Sequence, residues 1–360
     1  MTGRTVYDDY ATIDTEGGLF PPNFLGRIAS GDGGVDGLSP EDYHLAGNER
    51  ISEAVNRAWN RLVGAWTAFR SAAAKLAPGE PGTGITRERW LYVLFQELGY
   101  GRLATSAAIQ IDGKSYPITH VWQSVPIHLV GLKVELDRRT TGVAGAAKSS
   151  PHGLAQEFLH RREGNLWGIV TNGLRLRILR DNASLTRQAY IEFDLEAMMD
   201  GEAYSDFVLV WLLCHESRVE AEKPAECWLE RWAQAARDQG TRALERLRGG
   251  VEAAIQALGS GFLAHPRNSA LREALASGSL GRQDYCRELL RLVYRFLFLF
   301  VAEDRGLLLD PDAKPDAKAR YLEHYSTSRL RRLAARRRGG PHPGPGAPRG
   351  SHPRPTRRRR

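Results

Sequence analysis

The stretch from Leu289 to Leu309, LLRLVYRFLFLFVAEDRGLLL, constrains this chain more than any other. From Phe296 to Ala302 it is apolar without a break. Such a run fits a buried helix, a buried strand or part of a membrane span. A membrane span needs roughly 20 apolar residues, and Arg291, Arg295, Glu303 and Asp304 close this run too early. Leu289, Leu290, Leu292, Val293, Phe296, Leu297, Phe300 and Val301 keep helical spacing. They predict a helix from about Gln283 to Arg305, apolar almost all round and therefore nearly surrounded by protein. Gly306 stands where a left-handed cap would end it, and Asp310-Pro311 stops the element. A helix this apolar needs more partners than a small domain offers. It is expected to be a strut in something larger than these 360 residues.

Upstream, the periodicity changes several times. Residues 1–47 hold many Gly, Asp and Pro residues with no sustained period, and predict a loosely held arm in which Phe20 to Ile28 dock on the body. Asn48 to Leu76 reads as an amphipathic helix, with Ile51, Val55, Ala58, Trp59, Leu62, Val63, Trp66 and Phe69 on one face. A second helix runs from Thr86 to Leu98. Strands follow at Leu103–Gln110, Tyr116–Trp122 and Val125–Glu135, the first two joined at the hairpin dipeptide Asp112-Gly113. Ser150-Pro151 opens a helix to about His160. Leu166–Val170 and Leu174–Leu179 flank a second hairpin signal, Asn172-Gly173, and Ala189–Phe193 adds a last strand. From Asp194 the chain reads as helical, including a long helix at Glu226–Leu258 that Gly259-Ser260-Gly261 is expected to stop.

The predicted class is α/β (α+β): a nuclease-like mixed sheet flanked by helices, followed by an all-helical connector block. The predicted divisions are an arm at 1–47, an α/β domain at 48–200, a helical connector at 201–312 and a linker helix at 313–338. An Arg/Pro/Gly tail at 339–360 is expected to be disordered, because it cannot bury enough apolar surface to offset its ordering entropy. The tail begins abruptly after SRLRRLAARRRGG, as a slipped GC-rich reading frame would. Replacement of the rest of a longer protein is the expectation.

Charge divides unevenly. The formal net charge is +8, yet residues 1–317 carry 36 basic and 41 acidic side chains. The basicity belongs to the tail, and the body offers no general field for nucleic acid. Cys214, Cys227 and Cys286 lack metal-ligand spacing and read as reduced core residues. With no secretory pattern at the N-terminus, a cytoplasmic location is expected.

Four segments carry a resemblance. YRFLFLFVAEDRGLL looks like the segment preceding the catalytic domain of large adenine-specific DNA methyltransferases, the fused type IIG restriction–modification and related DISARM-type phage-defence enzymes. The likeness extends through VPIHLVGLKVELDRRT, LWGIVTNGLRLRILRDNASLTR and YIEFDLEAMMDGEAYSDFVLVWLL, over about residues 20–335. It implies a parent activity that transfers methyl from S-adenosylmethionine to adenine N6. Its partners would be DNA and a methyltransferase domain, or a separately encoded remainder, and no membrane. The Asn/Asp-Pro-Pro-Tyr/Phe target-base motif of that family is absent from these 360 residues. Gly259-Ser260-Gly261-Phe262-Leu263 mimics a cofactor turn but follows a helical run instead of a strand. This chain itself is therefore expected neither to bind S-adenosylmethionine nor to methylate.

The helix–three strands–helix–strand order also resembles PD-(D/E)xK nucleases, which hold Mg²⁺ between acidic residues. Glu97, Asp112, Glu135 and Asp137 are the candidates for such a role. No Lys follows Glu135 and Asp137 where that pattern needs one, Lys133 preceding them. Pairing of these acids with Arg138, Arg139 or Arg161 at a strand end is the preferred reading. His120, His128 and His152 read as core or element-end histidines, with no second ligand at metal spacing. Arg138, Arg139, Arg161, Arg175 and Arg177 are the principal candidates for DNA phosphate, with Lys148, Arg162, Arg180 and Arg187 beside them. The alternative is a solvated strand face balanced by Asp181 and Glu192. Function thus stands as an expectation in three forms. The first is a non-methylating N-terminal part of an adenine methyltransferase with a structural or DNA-positioning role. The others are an active Mg²⁺-dependent endonuclease domain and a non-enzymatic scaffold.

Overall fold

Two β-branched, apolar runs, VPIHL and WGIVT, are long enough for a strand and too short for a helix. In the computed structural model they form the parallel pair of a six-stranded mixed sheet. The structure describes residues 10–336 except 163, 165, 182–187 and 311–312, so Arg187 and the 339–360 tail lie outside the described residues. The elements of the α/β body are β1 (Ile13–Glu16), α1 (Pro22–Ala29), α2 (Ile51–Ala73), α3 (Thr83–Ile85), a π-helical turn (Thr86–Leu91) and α4 (Tyr92–Glu97). Then come β2 (Ile109–Ile111), β3 (Lys114–Tyr116), β4 (His120–Trp122), β5 (Val125–Leu129), α5 (Pro151–Arg161), β6 (Trp167–Thr171), β7 (Arg175–Arg180) and β8 (Tyr190–Asp194). The helices α6 (Leu195–Asp200), α7 (Tyr204–Cys214) and α8 (Trp228–Ala264) follow.

The sheet order is β1-β8-β7-β6-β5-β4, with β5 and β6 parallel and every other pairing antiparallel. Helix α5 makes the crossover that a parallel pair requires. Ser150 caps it, its Oγ accepting from the Gly153 amide at 3.1 Å, and Pro151 fills the first turn. Both parallel strands are buried along their whole length, as strands covered on two faces must be. The period of two divides their side chains. Ile127, Leu129, Trp167, Ile169, Leu176, Ile178, Ile191 and Phe193 join one large core with α1, α2, α4, α7 and the start of α8. Val170 and Leu179 face a smaller core with Ala155 and Leu159 of α5 and with Val130, Val134, Leu136 and Ala146.

Several expectations change here. Residues 13–47 are no loose arm. Strand β1 pairs with β8 along the sheet edge, and the Thr12 amide and hydroxyl bind buried Asp206 at 3.1 and 2.6 Å, while Phe20, Phe24, Leu25 and Ile28 are buried, in keeping with the docking expected of Phe20 to Ile28. A four-residue edge strand reading Ile-Asp-Thr-Glu carries too little apolar signal to be seen in advance. The Asp112-Gly113 hairpin forms as expected, both residues at positive φ as a type I′ turn requires. It stands apart as the two-stranded β2–β3 sheet, and the single strand expected at Tyr116–Trp122 is split between two sheets. Strand β5 ends at Leu129, six residues early, because the chain turns there and the Gly131 backbone passes against the Pro81 carbonyl. A Cβ at Gly131 would lie 2.1 Å from that oxygen.

The chain divides into two compact units, residues 1–241 and 242–360, and the division falls inside α8. The boundary expected near Gly201 fails because α7 is buried almost completely, with Phe207, Leu209, Val210, Trp211 and Leu213 in the main core. Arg218 adds a further tie within the first unit. Fully buried, it lies over the rings of Tyr43, Trp228 and Trp232 and donates to the carbonyls of Gly37 (2.7 Å) and Asp42.

The second unit is wholly helical among its described residues. It holds the C-terminal part of α8, α9 (Ser269–Ser277), α10 (Arg282–Asp304), α11 (Pro315–His324) and α12 (Thr327–Arg336). The Gly259-Ser260-Gly261 sequence does not stop α8. Gly259 instead lets α10 approach closely: a Cβ there would meet Leu289 at 2.9 Å, and the Tyr285 hydroxyl donates to the Gly259 carbonyl at 2.9 Å. Among the described residues no helix is long and apolar enough to cross a membrane.

Glu303, at the end of α10, caps α12. It accepts from the Ser326 hydroxyl and from the amides of Thr327 (2.6 Å) and Ser328 (3.3 Å). Partial burial opposes ionisation, but these donors outweigh it and hold the carboxyl down at about 2. A depressed carboxylate contributes stability above its unfolded value of 4.5 and loses it as pH falls toward 2. The amide resonances of Thr327 and Ser328 are expected to titrate near 2, with the α10–α12 tie released below that pH; a midpoint near 4.5 would remove Glu303 as the cap.

Candidate functional site: the open face of the apolar helix

Of the four carboxylates expected to hold Mg²⁺, Glu97, Glu135 and Asp137 each pair with a different arginine. Glu97, at the end of α4, accepts from Arg61 at 2.7 Å. Asp112 sits in the β2–β3 turn. Glu135 is exposed and pairs with Arg138 at 3.3 Å. Asp137 takes both Nη atoms of Arg177, at 2.6 and 2.7 Å. Glu135 and Asp137 also lie beyond the end of β5, so strand alternation does not set their faces. Among the described residues no group of three or more His, Cys, Asp or Glu side chains could hold a metal.

Asp137 belongs instead to an ionic network built on β7 and β8. Residues 175, 177 and 179 share one face of β7, and the register sets Arg177 opposite Glu192 and Arg175 opposite Asp194. Arg177 Nε donates to Glu192, and Arg175 Nη1 donates to the other oxygen of Glu192 at 2.5 Å. Arg175 also reaches Asp194 at 3.1 Å. The Arg177 guanidinium lies 4.6 Å from the Tyr190 ring centre and stands 3.1 Å from His152 Nδ1, which must therefore accept. Burial first, and Arg177 second, push His152 down to about 4. The Arg177 bonds hold the Asp137 carboxyl below its ordinary range against the opposing effect of burial.

This corrects the expected DNA set. Arg175 and Arg177 stand among those candidates, but they are paired with Glu192, Asp137 and Asp194, and the Arg177 side chain is only 6% exposed. Arg161 pairs with Glu157 at 3.2 Å, and Arg180 clamps Glu230 of α8 through two bonds of 2.8 Å. Of the principal candidates, Arg139 is exposed without an ion pair among the described residues, and Arg138 is exposed beside Glu135. His120 and His128 are fully buried, as core histidines are.

What remains open is apolar. Thirteen of the fourteen exposed large hydrophobic residues among those described lie in the second unit, so the unsatisfied surface is concentrated there. Helix α10 forms where the sequence places it, but it is not surrounded. Leu289 and Val293 are buried on one side, and Ala302 is buried near the C-terminal end. Tyr294, Phe298 and Val301, at helical spacing on another side, are 60%, 71% and 50% exposed. Tyr294, Arg295, Phe298 and Leu299 line a shallow apolar depression of about 420 Å³. Phe296 stacks on Phe300, and Arg331 of α12 lies over the Phe300 ring, so the inner side is already engaged within the unit. An exposed row of this kind marks an interaction surface when it is contiguous. No protein-family model, curated protein or solved structure matches this chain.

Proposed function

We propose that the chain is the non-catalytic N-terminal part of a DNA adenine-N6 methyltransferase of the type IIG or DISARM-like phage-defence kind. In this reading its helical unit is the seat on which the methyltransferase domain docks. The observation that carries the reading is the outward row Tyr294, Phe298 and Val301 on α10. It falls inside YRFLFLFVAEDRGLL, the run that resembles the segment leading into the catalytic domain of those enzymes. Fully burying such side chains is worth about 1.5–3 kcal/mol each, enough for three of them to anchor a domain. Arg180–Glu230, Arg218 and the Arg177 network hold the α/β body rigid, which suits a part that positions a neighbour.

The test is methylation in trans. The catalytic domain of an adenine-N6 methyltransferase of this type, the one encoded at the same locus, is assayed with S-adenosylmethionine and duplex DNA, with and without this chain. The chain is expected to transfer no methyl group alone and to raise the rate of the domain by about tenfold or more, the order that better positioning supplies. An unchanged rate would remove the reading.

A further inference from the structure

We propose that the first unit takes up an extended peptide as an added strand along residues 103–105, in the cleft beside α4, with a carboxylate of the peptide at Arg102.

The starting observation is a sheet edge that is only partly closed. The six-stranded sheet ends at β4. Beyond β4, Thr105 forms an antiparallel bridge with His120, and the Ser106 amide donates to the Thr119 carbonyl at 2.8 Å. That bond makes Ser106 and Thr119 a hydrogen-bonded pair, so the N–H and C=O of Thr105, one residue back, point away from β4. The segment prolongs the sheet by one incomplete strand whose outer side is open. Among the described residues, the amides of residues 101–105 donate to no protein acceptor. An edge of this kind is a template for a further strand unless something blocks it. At the opposite edge, β1 carries exposed Asp14 and Glu16, which blunt it. Residues 103–108 read Leu-Ala-Thr-Ser-Ala-Ala, with no charge to repel a partner strand and no proline to interrupt it.

The cleft supplies the remaining contacts. Residues 101–105 form one wall of an open cleft of about 780 Å³, and Tyr92 and Gln96, one turn apart on α4, form the other. That volume lies in the range of built ligand sites. A groove between a helix and a sheet edge suits an extended peptide: main-chain bonds hold it to the edge, and its alternate side chains meet the helix. The helical wall is fixed in place, because the Tyr92 hydroxyl meets His120 Nε2 of β4 at 3.2 Å. Charge in the cleft is one-sided. Arg102 is exposed and has no ion pair among the described residues, and no acid lines the cleft. Gly101, at φ 62°, turns the chain into the edge, and a Cβ there would meet nothing within 4 Å, so the approach to the neighbouring amides is unobstructed. A guanidinium beside free backbone amides is the chemistry that receives a carboxylate.

Binding of the full chain to an array of pentapeptides of varied sequence tests the site, each peptide presented as the free acid, as the plain amide and as the amide of a Glu-ended form. A subset is expected to bind, with the plain amides about tenfold weaker than the acids. If free acids alone bind, the site reads a chain terminus; if Glu-ended amides bind as well, it reads a carboxylate of either source. N-methylation of alternate nitrogens in the best binder is expected to weaken it by about tenfold, through lost ladder bonds. Thr105→Pro removes an outward N–H that bonds nothing within the protein, and is expected to cost about tenfold in affinity. Should that variant misfold, Arg102→Glu, an exposed change, is expected to weaken the acids by about tenfold and to leave the plain amides unchanged. The tail arginines are present in every variant, so the differences report the cleft alone. No peptide held by the wild type, plain amides bound as tightly as acids, or equal binding by the wild type and a folded variant would overturn the proposal.

Discussion

Arg177→Met lowers the unfolding free energy of the first unit by about 3–5 kcal/mol, the range for breaking a buried ion pair from one side. Glu192 is 9% exposed in its side chain and would keep only Arg175 as a cationic partner, while Asp137 would lose both its bonds. For a unit of this size the loss corresponds to a Tm lower by roughly 6–12 °C. The double variant Arg177→Met with Glu192→Met is expected to recover much of this, since a packed apolar pair carries no stranded charge. The deficit of the single variant should also narrow as pH falls through the carboxylate range. Wild type loses the contribution of Asp137, whose pKa is depressed, while protonation relieves the charge stranded in the variant. Urea unfolding followed by tryptophan emission measures this, because all eight tryptophans lie in the first unit. A loss below about 1 kcal/mol, the range of an exposed pair, would show the network to be surface decoration.

The second large effect concerns binding. Replacing Tyr294 and Phe298 together by Glu is expected to weaken association with the methyltransferase domain by about 100-fold or more, since exposed aromatics at the centre of an interface cost about 2 kcal/mol or more each on truncation. Both side chains are mostly in water in the chain alone, so its own helicity and unfolding should change little. Titration calorimetry against the catalytic domain reads the affinity, and circular dichroism checks the fold. Retained affinity with an intact fold would move the docking site elsewhere.

Much of the architecture was legible in the residues, for physical reasons. Amphipathic repeats placed α2, α10 and the start of α8 within a few residues, and Asp112-Gly113 formed the tight turn its dihedral freedom permits. Elements set by distant contacts were not legible. Strand β1 exists because β8 offers it an edge, and β5 stops at Leu129 because Gly131 must pass Pro81. The π-turn at Thr86–Leu91 leaves no periodic trace, so Tyr92 drew no notice. Arg175 and Arg177 were candidates for phosphate, and Glu192 was named as a balancing acid. What the residues alone could not convey was that Arg177 lies buried against Asp137 and His152, and that half-exposed Arg175 is paired with Glu192 and Asp194. The apolar run at 296–302 was rightly read as a helix, but its enclosure was not: three residues are buried and a full row faces outward.

The most direct measurement is hydroxyl-radical footprinting of Tyr294 and Phe298, first in this chain alone and then with the adenine methyltransferase domain added. The account predicts rapid oxidation of both rings alone and protection of several-fold or more on mixing, while exposed Tyr325, as a reference, reacts in the free chain at a comparable rate. Unchanged oxidation of Tyr294 and Phe298 at saturating domain would contradict it.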